Sequence, residues 1–269
     1  MKSLVIGNTS QLSYYFPEEF VKISSRNLDY EMINKTSWNR VYVCVGESRK
    51  FLNNPEAYEH INFTLTLSII NKIKDNCKKL IVYSSCELWN KYDGQVDLSM
   101  DFDFYHTPYL QSKYQLSKFI LENKDNYKNV NIVYSFNFNS PHRNNNFLFG
   151  KIFDSIINRT RIEIGNTYFY RDIVHPTYVT KQSINTEEDI LVGSGRLTFV
   201  NDFIRDLYSH YDLKYDKFVI ENYDKFNEYD KRKEYYLKSK ECMFTYDSLL
   251  KETIKDLDIK IEEINGIRC

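Results

Sequence analysis

Short apolar runs alternate with longer amphipathic segments through the first half of the chain. The runs are rich in Val and Ile and are bounded by polar residues, which is the pattern of buried parallel strands. They lie at Ser3–Ile6 and at residues 21–26, 41–46, 80–83 and 130–134. The segments between them contain helical patterns, so the chain predicts an α/β fold with a doubly wound parallel sheet.

Two of the intervening segments predict long helices. In residues 55–74 one apolar stripe is formed by Tyr58, Ile61, Leu65, Ile69 and Ile73. A second helix is expected to begin at Pro108, because proline is favoured at the first helical position and apolar residues follow with helical spacing.

The second half of the chain predicts a smaller lobe. A helix is expected at residues 147–157 and a short strand at Ile162–Ile164, followed by Arg171-Asp172-Ile173-Val174-His175. We therefore assign residues 1–140 to one domain and residues 141–269 to a smaller lobe that is interleaved with it.

The candidate chemistry lies after the strand at residues 80–83. Open α/β sheets bind ligands at the carboxyl ends of their strands, where this chain places Ser85. Tyr109 and Lys113 are four residues apart, so they share one face of their helix. A nearby ammonium lowers the pKa of a phenol from its ordinary value of about 10. With a serine hydroxyl on the substrate oxygen, this set suits hydride chemistry at a secondary alcohol or ketone.

The same spacing recurs at Tyr114 and Lys118. Five residues of helix rotate a side chain by about 140°, so both pairs cannot face one site. We favour Tyr109 and Lys113, because Pro108 places them in the first turns of the helix, near the strand ends.

The turn after the first strand resembles a dinucleotide-binding turn that has lost glycines. Such turns place glycine at three positions, and this chain keeps only Gly7, with Ser10 and Ser13 near the others. A serine hydroxyl can still bind a phosphate. Arg26, at the end of the second predicted strand, favours a cofactor with a 2′-phosphate.

Composition narrows the classes of partner. The 269-residue chain has a formal net charge of −1 and a pI near 6.5, which gives no reason to expect nucleic acid or an anionic membrane as partner. Its five cysteines show no paired spacing, so neither a disulfide framework nor a zinc site is indicated. Without a signal peptide or a long apolar run, we expect a cytoplasmic location.

Taken together, these features resemble the extended short-chain dehydrogenases/reductases that act on nucleotide-activated sugars. The similarity is greatest to GDP-mannose 4,6-dehydratases and 4-keto-6-deoxy-sugar reductases, and it fades after Tyr211. The motifs that carry it are Gly7-x-Thr9-x-Gln11, Ser84-Ser85-Cys86-Glu87-Leu88-Trp89, Pro108-Tyr109-x-x-x-Lys113, Phe136-Asn137-x-x-Ser140-Pro141-x-Arg143 and Gly165-Asn166 before Arg171-Asp172. Asn62-Phe63-Thr64 and residues 192–196 add to the match.

The resemblance implies a Rossmann-like domain that binds NADP(H), with NAD(H) as the alternative, and a lobe that binds a nucleotide sugar. It implies Ser85 on the sugar oxygen, Tyr109 as acid/base and Lys113 on the nicotinamide ribose. Glu87 matches the base that dehydratases use at carbon 5. The implied cofactor-binding residues are Gly7, Thr9, Ser10, Gln11, Leu12, Arg26, Gly46 and Lys113, and the implied substrate-binding residues are Asn137, Arg143 and Arg171. By the same analogy we expect a homodimer, with the helices that begin at Pro55 and Tyr109 packing against their symmetry mates.

The sequence departs from the family pattern in three places. It lacks the second and third glycines, has Trp89-Asn90 where Tyr-Gly is usual, and shortens the segment between Arg26 and Val41. That segment helps to hold the cofactor in dehydratases, so its shortening favours a cofactor that exchanges. Reductases in this group often carry a glutamate at the position of Glu87 as well, so this residue does not decide between the two reactions. We therefore predict an NADP-dependent 4-keto-6-deoxy-sugar reductase, with a 4,6-dehydratase, an epimerase or an inactive cofactor-binding homologue as alternatives.

Overall fold

The chain forms two compact units. The structure is a computed structural model that describes residues 2–49, 54–104, 106–222, 224, 235–237 and 244–267. The first unit comprises Met1–Tyr92, Asp97–Phe136 and Val179–Val192, and the second comprises Asp93–Val96, Asn137–Tyr178 and Gly193–Cys269. The assignment of the cofactor to residues 1–140 and of the substrate to residues 141–269 stays a prediction.

The first unit contains a six-stranded parallel sheet. The strands of the described residues are β1 Ser3–Ile6, β2 Val21–Ile23, β3 Trp38–Val43, β4 Cys77–Ser85, β5 Gly94–Val96, β6 Val130–Ser135, β7 Asn137–Phe138, β8 Ile162–Ile164, β9 Tyr170–Arg171, β10 Ile173–Val174, β11 Ile190–Val192, β12 Thr198–Phe199, β13 Val219–Glu221 and β14 Tyr235–Leu237. The order in the large sheet is β11-β6-β4-β3-β1-β2, and every pair in it is parallel. This Rossmann-like order confirms the predicted α/β fold class.

Helices lie on both faces of this sheet. Over both units, the α-helices of the described residues are α1 Tyr30–Asn34, α2 Pro55–Tyr58, α3 Thr66–Ile73, α4 Pro108–Glu122, α5 Leu148–Asn158, α6 Pro176–Asn185, α7 Val200–His210, α8 Tyr215–Phe218 and α9 Tyr246–Ile267; α5, α7, α8 and α9 belong to the second unit. The Ser84 hydroxyl is 3.0 Å from that of Ser117 on α4, whereas Tyr83 lies beside Ser183 of α6. Because successive strand residues point to opposite faces, α4 and α6 cover opposite sides of β4.

Several predicted boundaries were wrong. β3 begins at Trp38 and ends at Val43, so it lies three residues earlier than expected, and β2 ends at Ile23. Ser84 and Ser85 belong to β4, although we had expected them in the loop that follows. β1 and β8 have the predicted bounds.

The edge strand β11 was not predicted. The acidic turn at residues 187–189, directly before β11, attaches this strand to the sheet. The Asp189 carboxylate accepts the Ile132 backbone N–H over 2.8 Å and pairs with Lys124 at 3.1 Å. Glu187 pairs with Arg40 and lies 3.4 Å from Lys79. These side chains are distant in sequence from the residues that they bind, so a local pattern does not reveal what holds β11 to the sheet.

The helical stretch after Pro55 is interrupted by a π-helix at Glu59–Leu65. We had predicted one regular helix over residues 55–74. A π-helical turn contains an extra residue, and such turns recur at functional sites. Asn62 lies in this segment and is fully buried.

The first βα connection is much reduced. In place of a long helix after β1 there is one 3₁₀ helix, Gln11–Tyr15. Phe16 and Phe20 follow, and their rings lie 4.5 and 5.8 Å from the ring of Tyr42 on β3. These aromatic contacts help to bury Tyr42, which is fully buried.

The second unit is built from small two-stranded sheets and helices. β7 pairs with β10, β8 with β13 and β5 with β14 in parallel, whereas β9 and β12 are antiparallel. Its core contains fully buried side chains of α5 and α7, including Ile152, Phe153, Phe203 and Leu207. In the part of the chain that the structure describes, no helix is both long and apolar enough to cross a membrane.

Candidate active site

Lys113 is a buried cation of the first unit. It lies in the second turn of α4, its side chain is only 7% exposed, and its Nζ donates to the Tyr83 carbonyl over 3.1 Å. Burial lowers the pKa of Lys113 to about 8, because the ammonium loses its hydration. An ammonium has three hydrogens to donate. The bond to Tyr83 uses one of them.

Tyr109 lies one helical turn before Lys113. Thr107 caps α4 by accepting the Leu110 N–H over 3.2 Å, and Pro108 opens the helix, as the sequence predicted. Tyr109 is half-buried, and its ring lies edge-on to that of Tyr58 at 6.2 Å. Its spacing from Lys113 places both side chains on one face of the helix.

The competing pair at Tyr114 and Lys118 has a different environment. The ring of Tyr114 packs against those of Phe102 and Phe104 at 5.9 and 5.0 Å. The side chain of Lys118 is 49% exposed and pairs with Glu122 at 3.7 Å. Lys113 is therefore buried, whereas Lys118 belongs to an ordinary surface ion pair. This difference favours our choice of Tyr109 and Lys113.

Ser85 and Glu87 lie where β4 ends. The Ser85 hydroxyl accepts the backbone N–H of Glu87 over 3.2 Å and so caps the 3₁₀ helix Cys86–Trp89. This bond uses a lone pair of the hydroxyl and does not use its hydrogen. Glu87 is half-buried in the same turn.

The departure at Trp89-Asn90 has a structural reason. Trp89 is 1% exposed, and its indole N–H donates to the Met100 carbonyl over 2.9 Å. Asn90 has φ −72°, a value that any residue adopts, so no glycine is required after the turn. The replacement serves the core of the first unit and leaves the Ser85 turn intact.

A hydrogen-bonded network of buried groups, which sequence reasoning did not assign to the site, adjoins Lys113. The Asn62 Oδ1 accepts the Glu47 N–H over 2.7 Å, and its Nδ2 donates to the Glu47 carbonyl and to the Ser112 hydroxyl, both over 3.0 Å. The Glu47 carboxylate pairs with Arg49 at 2.6 Å, which holds the pKa of Glu47 below its usual value despite an opposing effect of burial. A polar Asn inside an apolar helical stripe was the available signal.

Gly46 lies against this network. A Cβ on Gly46 would lie 3.3 Å from the Lys113 Nζ and 3.4 Å from the Asn62 Oδ1. Glycine therefore leaves room beside the ammonium and the amide, and its role beside a cofactor stays a prediction.

The first turn needs glycine at one position. Gly7 has φ +102°, and a Cβ there would lie 2.9 Å from the Cys44 carbonyl oxygen. Ser10 has φ −69°, so glycine is not required at that position. Thr9 is exposed, Ser10 and Gln11 are half-buried, and the buried Leu12 side chain belongs to the core, so only its main chain could meet a ligand.

The Ser13 hydroxyl is engaged inside the first turn. It is directed at the carbonyls of Asn8 and Ser10, at 2.8 and 2.6 Å, and the residue is 1% exposed. The hydroxyl closes the turn in place of a ligand.

Arg26 is exposed three residues beyond β2, and its backbone N–H donates to the Ser24 hydroxyl over 3.1 Å. The connection from there to β3 holds only the five-residue α1. It is shorter than predicted, since β3 begins at Trp38.

The second unit contains the other three predicted residues. The Arg171 guanidinium lies 4.6 Å from the ring centre of Phe169, and its neighbour Asp172 accepts Ser194 and Gly195 N–H groups over 2.7 and 3.0 Å. Asn137 lies in β7 and is half-buried. The Arg143 guanidinium lies 4.0 Å from the ring centre of Phe147.

Comparison with known proteins identifies the family. The family model described as the NAD dependent epimerase/dehydratase family matches residues 9–177, which is more than half of the chain. The chain therefore belongs to this family. No curated protein sequence matches it.

Solved structures share the fold at low identity. A UDP-glucose 4-epimerase of Thermotoga maritima, solved with UDP-glucose, has 16% identity and a TM-score of 0.76, and the alignment covers 97% of this chain and 100% of that one. RMD of Pseudomonas aeruginosa, solved with NADPH, has 13% identity and a TM-score of 0.72, with coverages of 95% and 99%. A dTDP-glucose 4,6-dehydratase of Bacillus anthracis, solved with NAD, has 14% identity and a TM-score of 0.71, with coverages of 97% and 98%.

Proposed function

We propose that this protein is an NADP-dependent reductase that acts at carbon 4 of a 4-keto-6-deoxy nucleotide sugar. The observation that carries the proposal is the burial of Lys113 beside the end of β4, one helical turn from Tyr109, in a member of this family. A buried ammonium is costly and needs a reason. Binding a cofactor ribose and holding a phenol in its reactive state supply that reason.

The residues have the following roles in the proposal. The Ser85 hydroxyl donates a hydrogen bond to the keto oxygen of carbon 4. Tyr109 transfers its proton to that oxygen as the carbonyl is reduced. The nicotinamide, when bound, supplies the hydride. Lys113 then stabilises the phenolate of Tyr109, which regains a proton from solvent. Hydride and proton together convert the ketone to an alcohol.

Two features of the first unit favour a cofactor that exchanges. Only one short 3₁₀ helix follows Gly7, and its Ser13 hydroxyl is used within the turn. The connection between β2 and β3 is also short. Few groups of this turn and this connection are therefore left to hold a dinucleotide tightly. Weak retention suits a reductase, because its cofactor must leave after each turnover. We infer NADP(H) as the cofactor from Arg26, with NAD(H) as the alternative.

The second candidate is a 4,6-dehydratase, which Glu87 favours. Such an enzyme would oxidise carbon 4, take the proton of carbon 5 with Glu87, lose water and return the hydride to carbon 6. Glu87 lies two residues after Ser85 in the turn that ends β4. An epimerase would need neither this base nor an exchanging cofactor.

We propose that Asn137, Arg143 and Arg171 bind the nucleotide sugar. Arginine suits the phosphates, since its guanidinium forms paired charged hydrogen bonds. We also propose a homodimer, formed by α4 and the helical stretch from α2 to α3. Sedimentation at micromolar concentration tests the dimer independently of the site.

The test of the function is a panel of GDP-, dTDP-, UDP- and CDP-hexoses and their 4-keto-6-deoxy forms, each with and without NADPH. If NADPH is consumed in equal amount to the keto sugar, and is not consumed with the parent hexoses, the result supports the reductase. Formation of a 4-keto-6-deoxy sugar from a parent hexose without net cofactor change, abolished in Glu87→Gln, would instead support the dehydratase. Absence of any dinucleotide binding at millimolar concentration would contradict both.

A further inference from the structure

Ser112 links the turn that carries Tyr109 to the loop after β3. It lies on α4 directly before Lys113 and is 1% exposed. Its hydroxyl donates to the Tyr109 carbonyl over 2.7 Å and accepts from the Asn62 Nδ2 over 3.0 Å. The Asn62 amide in turn binds both the N–H and the carbonyl of Glu47.

Both ends of this link lie close to the proposed reacting groups. One end is the main chain of Tyr109. The other is the loop beginning at Gly46, where an added Cβ would lie 3.3 Å from the Lys113 Nζ and 3.4 Å from the Asn62 Oδ1. Because both atoms lie so close to one point, the Lys113 Nζ and the Asn62 Oδ1 are close to each other.

The Asn62 amide uses its oxygen and both of its hydrogens within this link. Asn62 is fully buried, and its amide uses its oxygen on the Glu47 N–H and its hydrogens on the Glu47 carbonyl and on Ser112. Removing the Ser112 hydroxyl would leave one amide hydrogen buried without its acceptor. The structure would relieve this by moving Asn62, the Glu47 loop or the start of α4, and each of these adjoins Tyr109 or Lys113.

We propose that Ser112 is a positioning residue for the reaction. It acts on Tyr109 through the first turn of α4 and on the surroundings of Lys113 through Asn62, and it has no contact of its own with the substrate. The effect on turnover rests on the proposed function, whereas the effect on the Glu47 loop does not. Displacement of a reacting group by a fraction of an ångström lowers the rate without weakening the binding of the substrate.

The test compares Ser112→Ala with Ser155→Ala. Ser155 on α5 is a matched control, because it is also buried and its hydroxyl also donates to a carbonyl, that of Thr160, over 2.6 Å and accepts from another side chain, Tyr208, over 2.7 Å. It lies in the second unit. Three quantities are measured, namely the rate of hydrogen exchange at the Glu47 backbone amide by NMR, and kcat and KM with a keto sugar and NADPH.

In Ser112→Ala we expect exchange at Glu47 to be about tenfold faster, kcat to fall by about tenfold or more, and KM to change by less than about threefold. In Ser155→Ala all three quantities should stay at the wild-type value. Ser112→Cys keeps the shape of the side chain with a much weaker hydrogen-bonding group, and it gives the same comparison if the alanine variant is unstable.

Unchanged exchange at Glu47 in a folded Ser112 variant would overturn the link. A loss of turnover in Ser155→Ala equal to that in Ser112→Ala would overturn the positioning role. If the wild-type chain reduces none of the sugars, the proposed function fails, and the exchange measurement alone decides whether Ser112 holds the Glu47 loop.

Discussion

The ammonium of Lys113 donates to the main-chain carbonyl of Tyr83 over 3.1 Å. Tyr83 lies two residues before Ser85 in β4, so this bond brings the cation to the end of the strand that carries the proposed substrate hydroxyl. The contact is made by a backbone atom and does not depend on the side chain of Tyr83. It fixes Lys113 without neutralising it, which leaves its charge to act on a ligand.

Replacement of Lys113 by Met tests the cost of this buried charge. The pKa of Lys113 falls from its ordinary 10.5 to about 8 because of desolvation. In such a case the charged side chain destabilises the fold at every pH below about 8, and the cost disappears as the pH rises to 10.5. We expect Lys113→Met to be inactive, and its stability relative to wild type to fall between pH 8 and pH 10.5. Urea unfolding at several pH values measures this, and a difference independent of pH would contradict the buried charge.

Tyr109→Phe removes only the oxygen that is proposed to carry the proton. We expect a loss of turnover by about a thousandfold, within the range for a general acid, with cofactor affinity and unfolding midpoint nearly unchanged. Tyr114→Phe is the matched control, because it makes the same change in the competing pair on α4. If Tyr114→Phe proves the inactive variant instead, our choice of helix face is wrong.

The sequence predicted the sheet and the start of α4 because both depend on local signals. Apolar strands such as Ser3–Ile6 and the Pro108 helix start are local patterns. The π-helix around Asn62 and the closure of the first turn by Ser13 were missed. They depend on hydrogen bonds to Glu47 and to the Asn8 carbonyl, which no spacing reveals. Likewise, the sequence supported Lys113 over Lys118 only through the position of Pro108 at the helix start. In the structure the two lysines differ in exposure, since Lys113 is buried and Lys118 is exposed.

Gly7→Ala tests the geometry of the first turn. A side chain at φ +102° is strained by about 1–2 kcal/mol, and the contact with the Cys44 carbonyl adds about 1–3 kcal/mol. Gly94 is the matched control, since it has φ +84° with nothing within 4 Å of an added Cβ. Chemical unfolding should therefore show a greater loss for Gly7→Ala than for Gly94→Ala, and equal losses would refute the close contact.

Arg26→Ala tests the preference for the phosphorylated cofactor. If Arg26 binds the 2′-phosphate, NADPH affinity should fall by roughly tenfold, as expected for one charge-assisted hydrogen bond, while NADH affinity stays the same. Arg161→Ala removes another exposed arginine, in the second unit, and should alter neither affinity. Fluorescence titration measures both, and an equal loss for the two cofactors would leave the preference unexplained by Arg26.

In the proposed reductase, hydride moves from NADPH to carbon 4 of a keto sugar, and isotope transfer shows where that hydride goes. NADPH deuterated at the transferable position of the nicotinamide is incubated with the 4-keto-6-deoxy sugar that consumes it, and the product is analysed by NMR and mass spectrometry. We predict one deuterium at carbon 4 for each NADPH consumed, and no labelled product with Tyr109→Phe. A product without deuterium at carbon 4, or one formed from the parent hexose with no consumption of NADPH, would contradict the account.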